Sequence, residues 1–488
     1  MEGQPRRNRI NRDGLDVMIS ESTAAAHSPV EAGQISGPAA LADFWDISPA
    51  QRRKVLLEAI LEGHARHYQH NRAYRDTVSA RGVGPSASIA ELPRLLRPTA
   101  QTFKSYIDLL GTPFPQDKPE AFLAWAADQI SIELPRQRFQ QFRQRYASLE
   151  ALLQDFERIY ADYGLEVSTS SGTSGRSTIM IRDQDSIQRT VESFYLSFQR
   201  YLGRLADHRA IFIMPGDTRI AMARMVGFSV KRVGIPPERT HFTIPFPAYP
   251  DQVRVRAGRT FRSGWRGYVE RRWMNPFMNW MNEKYVTPRA THLTVELLER
   301  SEAEGERVLL FGGLAQLHDV ALHFQRSGRA LRLAPGSLLG TGGGFKELYA
   351  YTPEQILTDL EAAIQIVDGQ PVPFRDVYGM AEGNWAAMQC SQGNYHIPPW
   401  IYAAVLDEDD RLQETPDSTG LLAFFDPFGG GSLFPAFFKS ADRVRLVNGT
   451  CLEHPDYACP CGESGAYIVQ GTIRRVDLLD EAGCAAQV

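Results

Sequence analysis

Three observations in the 488-residue chain predict an α/β fold. Beyond Ser168, short apolar runs end in Gly or Pro and lead into helical patterns: residues 210–214 run into Pro215-Gly216-Asp217, residues 308–311 into Gly312-Gly313, and residues 374–378 into Gly379. After Gly313, Leu314, Leu317, Ala321, Leu322 and Phe324 recur at helical spacing. With 43% hydrophobic residues the chain can bury a large core without covalent staples. In open α/β sheets ligand groups sit on turns at the strand ends, so the active site is expected on those turns.

The elements follow in chain order. Residues 1–43 are rich in Ser, Ala, Gly and charge with no sustained apolar period and read as a leader. Arg6, Arg7, Arg9 and Arg12 are not followed by an apolar segment, so this is not a secretory signal. Order is expected from Phe44. Ser48 reads as the N-cap of a helix whose apolar face is Val55, Leu56, Ile60, Leu61 and Tyr68. Helices are expected to dominate residues 44–167, and Phe139, Phe142, Tyr146, Leu149, Leu152, Leu153 and Phe156 predict one long helix over 137–163. An α/β body then spans 168–477, and 478–488 form a tail. The apolar stretch 421–438 is broken by Asp426, Pro427, Pro435 and three glycines, so no membrane span is expected.

Composition excludes several classes. Lys+Arg 53 against Asp+Glu 57, net charge -4, argues against a dedicated nucleic-acid binder. Five cysteines are too few for a disulfide scaffold and point to a reducing, cytoplasmic setting. An Arg-rich segment (Arg254, Arg256, Arg259, Arg262, Arg266, Arg271, Arg272) alternates with Phe261, Trp265, Tyr268 and Trp273. The pattern could suit single-stranded nucleic acid, but a solvated Arg face over an aromatic core stripe, or a dock for an acidic carrier protein, fits the overall charge better.

The strongest local signal is a run of hydroxyl residues and glycines from Ser168 to Thr178. Ser171, Gly172, Thr173, Ser174 and Gly175 form its centre; small hydroxyls and unobstructed backbone N–H groups make an anion cradle. The Lys of a Walker loop is absent. Two further segments lie downstream, Tyr378-Gly379-Met380-Ala381-Glu382 and Lys439-Ser440-Ala441-Asp442.

In this order the three segments resemble the adenylate-forming superfamily, with its phosphate loop, its YGxTE-type motif and its TGD-type motif. Gly342-Gly343-Gly344-Phe345-Lys346, the Tyr378-Gly379-Met380 run with Asn384 and Cys390, Tyr395-His396-Ile397-Pro398-Pro399-Trp400 and the early Phe103-Lys104 are similar to the phenylacetate-CoA ligase branch and the LuxE-type acyl-protein synthetases. The resemblance implies the large domain of an adenylate-forming enzyme behind a helical N-terminal part. It also implies ATP-dependent conversion of a carboxylic acid to acyl-AMP. Glu382 would hold Mg²⁺; Gly343, Gly344, Tyr378, Gly379, Asp442 and Arg475 would border the nucleotide, Asp442 at the ribose.

Departures from the family pattern define further expectations. Ser177-Thr178 replace Pro-Lys, Ala381 replaces Thr, and Ala441 replaces Gly; Lys346 or Lys439 would supply the missing positive charge. Only eleven residues follow Asp477, too few for the small C-terminal lid domain of CoA ligases. Cys484 lies in that tail, where acyl-protein synthetases place an acyl-accepting cysteine, so transfer to a protein thiol is expected, with a reductase or carrier protein as partner. The alternatives are acyl-CoA or amide ligation, or a nucleotide-binding homologue without activity. Cys451, His454, Cys459 and Cys461 fall within eleven positions among Pro and Gly, which predicts a structural Zn²⁺ loop over 451–461. Trp385, Met388, Phe345 and Trp400 suggest an apolar pocket for a fatty or aromatic acid.

Overall fold

Ser48 caps the first long helix: its hydroxyl accepts from the Gln51 N–H, and Pro49–His70 follows with Leu56, Leu57, Ala59 and Ile60 buried. The computed structural model describes residues 40–170, 176–259, 262–343 and 350–476. The expectations for residues 1–39 of the leader, Ser171, Gly172, Thr173, Ser174, Gly175, Phe261, Gly344, Phe345, Lys346 and Cys484 lie outside the described residues, whereas a 3-10 turn, Leu41–Trp45, already begins within the expected leader.

The predicted helix over 137–163 is two pieces. A 3-10 turn, Arg136–Gln141, is followed by irregular chain, and a new helix, Leu149–Ile159, starts behind Ser148, whose hydroxyl accepts from the Ala151 N–H. The hydroxyl of Tyr146, read as part of the apolar face, donates to Asp155 at 2.9 Å instead of continuing the helix. The apolar period continues across Ser148, an N-cap at which a separate helix begins.

Seventeen strands are described, in chain order β1 (Arg97–Pro98), β2 (Glu166–Thr169), β3 (Ile179–Arg182), β4 (Arg209–Pro215), β5 (Thr240–Ile244), β6 (Val308–Gly312), β7 (Leu331–Leu333), β8 (Leu338–Gly342) and β9 (Ile364–Ile366). They continue as β10 (Phe374–Gly379), β11 (Ala386–Gln389), β12 (Tyr395–His396), β13 (Tyr402–Leu406), β14 (Asp417–Asp426), β15 (Ala436–Val447), β16 (Tyr467–Ile468) and β17 (Arg474–Arg475). The main sheet runs β13-β14-β15-β16-β12-β11-β10-β8-β6-β4-β5, with β1 and β17 also paired to β15.

This sheet has two characters. From β10 through β8, β6 and β4 to β5 all pairings are parallel, whereas from β10 to β13 the path is antiparallel. The parallel half is covered on both faces, which explains its continuous apolar strands. Ile211 and Ile213 of β4 pack with the helices Thr287–Glu304, Leu314–Arg326 and Pro353–Ala363, while Ala210 and Phe212 face the Ala221–Val233 side. The antiparallel half packs against the N-terminal helices in one large core that includes Leu56, Tyr106, Phe156, Trp385 and Phe438.

The aromatic residues read as pocket lining or core stripe are redistributed. Trp385 stands edge-on to Phe424, and Trp400 edge-on to Trp45 with its indole N–H donating to Ser193. Both are buried in the core, as is Met388. Met388 borders an apolar cavity of about 40 Å³ between the sheet and the helices Gln184–Leu202 and Ala221–Val233. A space lined this way offers a water molecule almost no polar partner. In the Arg-rich segment the expected aromatic core stripe is overturned: Trp265, Tyr268 and Trp273 are exposed beside exposed Arg266, Arg271 and Arg272, while Arg254 is buried.

Candidate functional site

The C-terminal ends of β8 and β10 are adjacent, because the two strands pair in parallel with Asp376 opposite Thr341 and Val377 opposite Gly342. β8 needs glycine for two reasons. A Cβ on Gly340 would stand 2.6 Å from the Phe311 ring, and Gly343, just past the strand, has φ +92°. β10 runs out at Gly379, and the turn to β11 carries Glu382.

Glu382 is held from across the sequence. The Thr178 hydroxyl donates to its Oε1 at 2.8 Å. Thr178 stands where β3 leaves the hydroxyl-Gly loop, and the loop's base is fixed by β2–β3 pairing, by the Ser170 N–H donating to the Thr178 carbonyl, and by the Thr178 N–H donating to Ser170 Oγ. Phe103, packed on Phe434 and Phe438, accepts the Ile179 N–H, and the Tyr106 hydroxyl donates to the Ser177 carbonyl. Thr178 therefore puts a neutral hydroxyl donor on the carboxylate.

Arg182 supports the same turn from behind. Fully buried, it donates to Asn384 Oδ1 at 3.1 Å, to the Ala381 carbonyl at 2.9 Å and to Ser168 Oγ. Burial lowers its pKa to about 10, and nearby Glu382 acts in the opposite sense, so it remains cationic at neutral pH. Arg182 and Thr178 were not picked out as site residues from the sequence. The available signal was a lone Arg closing an apolar strand, Ile179-Met180-Ile181-Arg182, directly after the loop.

Tyr378 and Asp442 meet as well: the phenol donates to Asp442 Oδ2 at 2.7 Å. Burial, followed by the Asp442 charge, raises the Tyr378 pKa well above its ordinary value, so the phenol stays a donor. Asp442 on β15 faces Arg475 on β17 in register, and the Val476 N–H donates to the Ala441 carbonyl. The Arg475 and Glu382 charges both act on Tyr378. Gly379, Tyr378, Glu382, Asp442 and Arg475 are thus brought together with the two ends of the hydroxyl-Gly loop. Lys439 is directed elsewhere: its ammonium contacts both carboxylate oxygens of Asp410 at 2.7 and 2.8 Å.

A second cluster departs from the expected zinc loop. Cys459 and Cys461 join Cys390 and His396, whose ligand atoms all lie within 4.8 Å of one another; Cys451 and His454 are not in the group. Antiparallel pairing of β11 with β12 and of β12 with β16 assembles it. Cys390 Sγ lies 3.9 Å from Cys459 Sγ, and Cys461 Sγ 3.3 Å from His396 Nε2. A tetrahedral zinc ion with Zn–S bonds of about 2.3 Å sets S···S edges of about 3.8 Å, so the donor set fits. Burial lowers the His396 pKa to about 4, which keeps the imidazole neutral as a ligand must be. Cys451 lies near Arg52 and Arg53, with burial raising its thiol to about 12, and the His454 Nδ1 accepts the Asp456 N–H.

No protein-family model matches the chain, and no curated protein matches it in sequence. Solved structures match it in fold. An open conformation of 2-hydroxyisobutyryl-CoA ligase in complex with 2-HIB-AMP and CoA superposes with a TM-score of 0.54 at 13% identity, covering 92% of this chain and 81% of that one. The same ligase in its thioesterification state gives 0.54 at 14%, covering 89% and 70%. Its postadenylation state with 2-HIB-AMP gives 0.53 at 12%, covering 92% and 74%. Identity this low speaks to the fold alone: the chain has the fold of adenylate-forming enzymes.

Proposed function

We propose that the protein is an AMP-forming carboxylate ligase that activates a carboxylic acid with ATP and passes the acyl group to a protein thiol, as in LuxE-type acyl-protein synthetases. One observation carries the reading: three segments distant in sequence meet at the strand ends, through Thr178 on Glu382 at 2.8 Å and Tyr378 on Asp442 at 2.7 Å. A substrate carboxylate oxygen attacks the α-phosphorus of ATP, a P–O bond forms, the α–β anhydride bond breaks, and pyrophosphate leaves. Such a step needs positioning and charge neutralisation more than covalent help. Residues 171–175 with Gly343 and Gly344 cradle the phosphates, and Lys346 adds positive charge there. Asp442 takes the ribose hydroxyls, with Arg475 beside it, and Tyr378 and Gly379 border the adenine and acyl groups. Mg²⁺ held at Glu382 would offset phosphate charge.

The Cys484 thiolate would then attack the acyl carbonyl; a C–S bond forms, the C–O bond to AMP breaks, and a thioester and AMP result. A reductase or carrier protein would receive the acyl group next. Cys390, His396, Cys459 and Cys461 are proposed to hold a structural Zn²⁺. A second reading, acyl-CoA formation from the same adenylate, is favoured by the fold shared with a CoA ligase.

Acid-dependent ATP–pyrophosphate exchange tests the first step. The panel must span fatty and aromatic acids, since buried Trp385, Met388 and Trp400 do not choose between them. Exchange is expected with at least one acid; none would leave a nucleotide-binding homologue without activity. Labelled acid with ATP then separates the acceptors. A hydroxylamine-sensitive protein adduct lost in Cys484→Ser supports thiol transfer, whereas acyl-CoA made on adding CoA, with no adduct, assigns the second reading.

A further inference from the structure

Between β5 and β6 one continuous helix runs from Gly264 to Glu304. It is π-helical over Glu270–Met274 and Asn282–Val286 and α-helical over Gly264–Val269, Asn275–Met281 and Thr287–Glu304. Its first half carries an exposed aromatic group: Trp265 is 75% exposed, Trp273 64% and Phe277 59%, with Tyr268, Trp280 and Tyr285 also exposed.

The π segments align these rings. At 3.6 residues per turn, the eight-residue step from Trp265 to Trp273 would leave them about 80° apart, and the five-residue step from Trp280 to Tyr285 about 140° apart. A π turn takes more residues than an α turn, and one π segment lies in each step, so the first step comes close to two whole turns and the second is narrowed. Ring contacts agree: Trp280 and Tyr285 are 5.2 Å apart, Phe277 and Trp280 6.1 Å, and Trp265 and Tyr268 5.5 Å.

The stripe's border is cationic. Within residues 264–286 the only acids are Glu270 and Glu283. Glu270 is buried against Arg254, and Glu283 pairs with Lys284 at 3.0 Å. Among the described residues, Arg271 and Arg272 have no carboxylate within 4.0 Å, and Arg272 lies over the Trp273 ring at 5.8 Å. A helical partner would be met by aliphatic knobs, whereas here the exposed large apolar residues are aromatic apart from Met274. Trp and Tyr rings beside Arg and Lys are the chemistry of the bilayer interface: rings enter at headgroup depth and cations meet lipid phosphates.

We propose that this helix seats the protein on an anionic lipid surface, lying in the interface plane with its aromatic stripe inward. No helix among the described residues is long and apolar enough to cross a membrane. The proposal is independent of the adenylation reading.

The test is co-sedimentation of the full chain with vesicles of phosphatidylcholine alone or mixed with phosphatidylglycerol, at low and high salt, with tryptophan fluorescence followed. Binding to the anionic vesicles is expected, with a blue shift, weakened by salt. It should fall about tenfold or more in Trp273→Ser/Trp280→Ser and in Arg271→Glu/Arg272→Glu. These side chains lie outside the core, so circular dichroism and melting should not change; Trp265→Ser serves as a single-site check on folding. Absence of binding to anionic vesicles overturns the proposal, as does binding indifferent to these variants. Self-association or oligonucleotide binding through the same residues, without vesicle binding, would assign the stripe to a second copy or to nucleic acid instead.

Discussion

At residue scale, Glu382 is surrounded by groups with separable roles. Glu382→Gln keeps the Thr178 contact in shape and leaves the Arg182 hydrogen bonds to the turn untouched, but removes the charge proposed to hold Mg²⁺. Pyrophosphate exchange should fall on the order of 10²-fold or more with little change in melting temperature. Arg182→Leu should do something different: it leaves the Ala381 carbonyl without its buried donor and Asn384 Oδ1 with Thr190 alone, and should cost about 2 kcal/mol in urea unfolding. Equal stability loss in both variants would show that the Glu382 turn is a structural feature only. Tyr378 and Glu382 stand out in the sequence because they lie in one short motif, even with Ala381 in place of its Thr, whereas Arg182 did not, because its partners in that turn lie some two hundred positions away.

At the scale of elements, the Cys/His cluster is a product of pairing. β12 hydrogen-bonds to β11 on one side and β16 on the other, which carries His396 to Cys390 and to the segment before β16. Metal analysis should find about one zinc per chain in protein purified without chelators. Cys390→Ser and His396→Ala should lose it and melt earlier, while Cys451→Ser and His454→Ala retain it. The reverse pattern would restore the 451–461 loop. Spacing alone pointed to Cys451 and His454 because they are near in sequence; the chain after β15 turns them away, with Asn448, Thr450 and Cys451 all at positive φ. The same limit applied to the 264–304 helix, where α periodicity could not anticipate two π segments.

Across the whole molecule, the N-terminal helices and the antiparallel half of the sheet share one core, and buried titratable groups lie along that contact. His67, on the helix Pro49–His70, is buried with its Nδ1 2.7 Å from Ser131 Oγ, and burial lowers its pKa to about 3. The unfolded chain, with an ordinary imidazole near pH 6.5, binds a proton that the folded one refuses. The His67 contribution to stability is therefore intact above about pH 6.5 and falls by about 1.4 kcal/mol per pH unit below it, until about pH 3. Comparing wild type with His67→Gln isolates this from the buried carboxyls, such as Asp426, whose raised pKa of about 6 acts in the opposite sense. The stability gap should shift by about 2 kcal/mol against wild type between pH 6.5 and 5 in urea titrations. A pH-independent gap would mean that His67 is protonated in the fold.

The sequence by itself determined what depends on neighbours along the chain: the Ser48 cap, the strand-turn-helix alternation, glycine at the ends of β8 and β10, and the order of the three motifs. Tertiary structure decided which groups meet. It put Thr178 on Glu382, replaced two of four expected metal ligands, sent Trp385, Met388 and Trp400 into the core, and turned the 264–286 aromatics outward. The physical reason is that periodicity and capping are short-range properties, whereas ligand sets and buried faces are set by strand register and helix winding, which hydrogen bonds between distant segments establish.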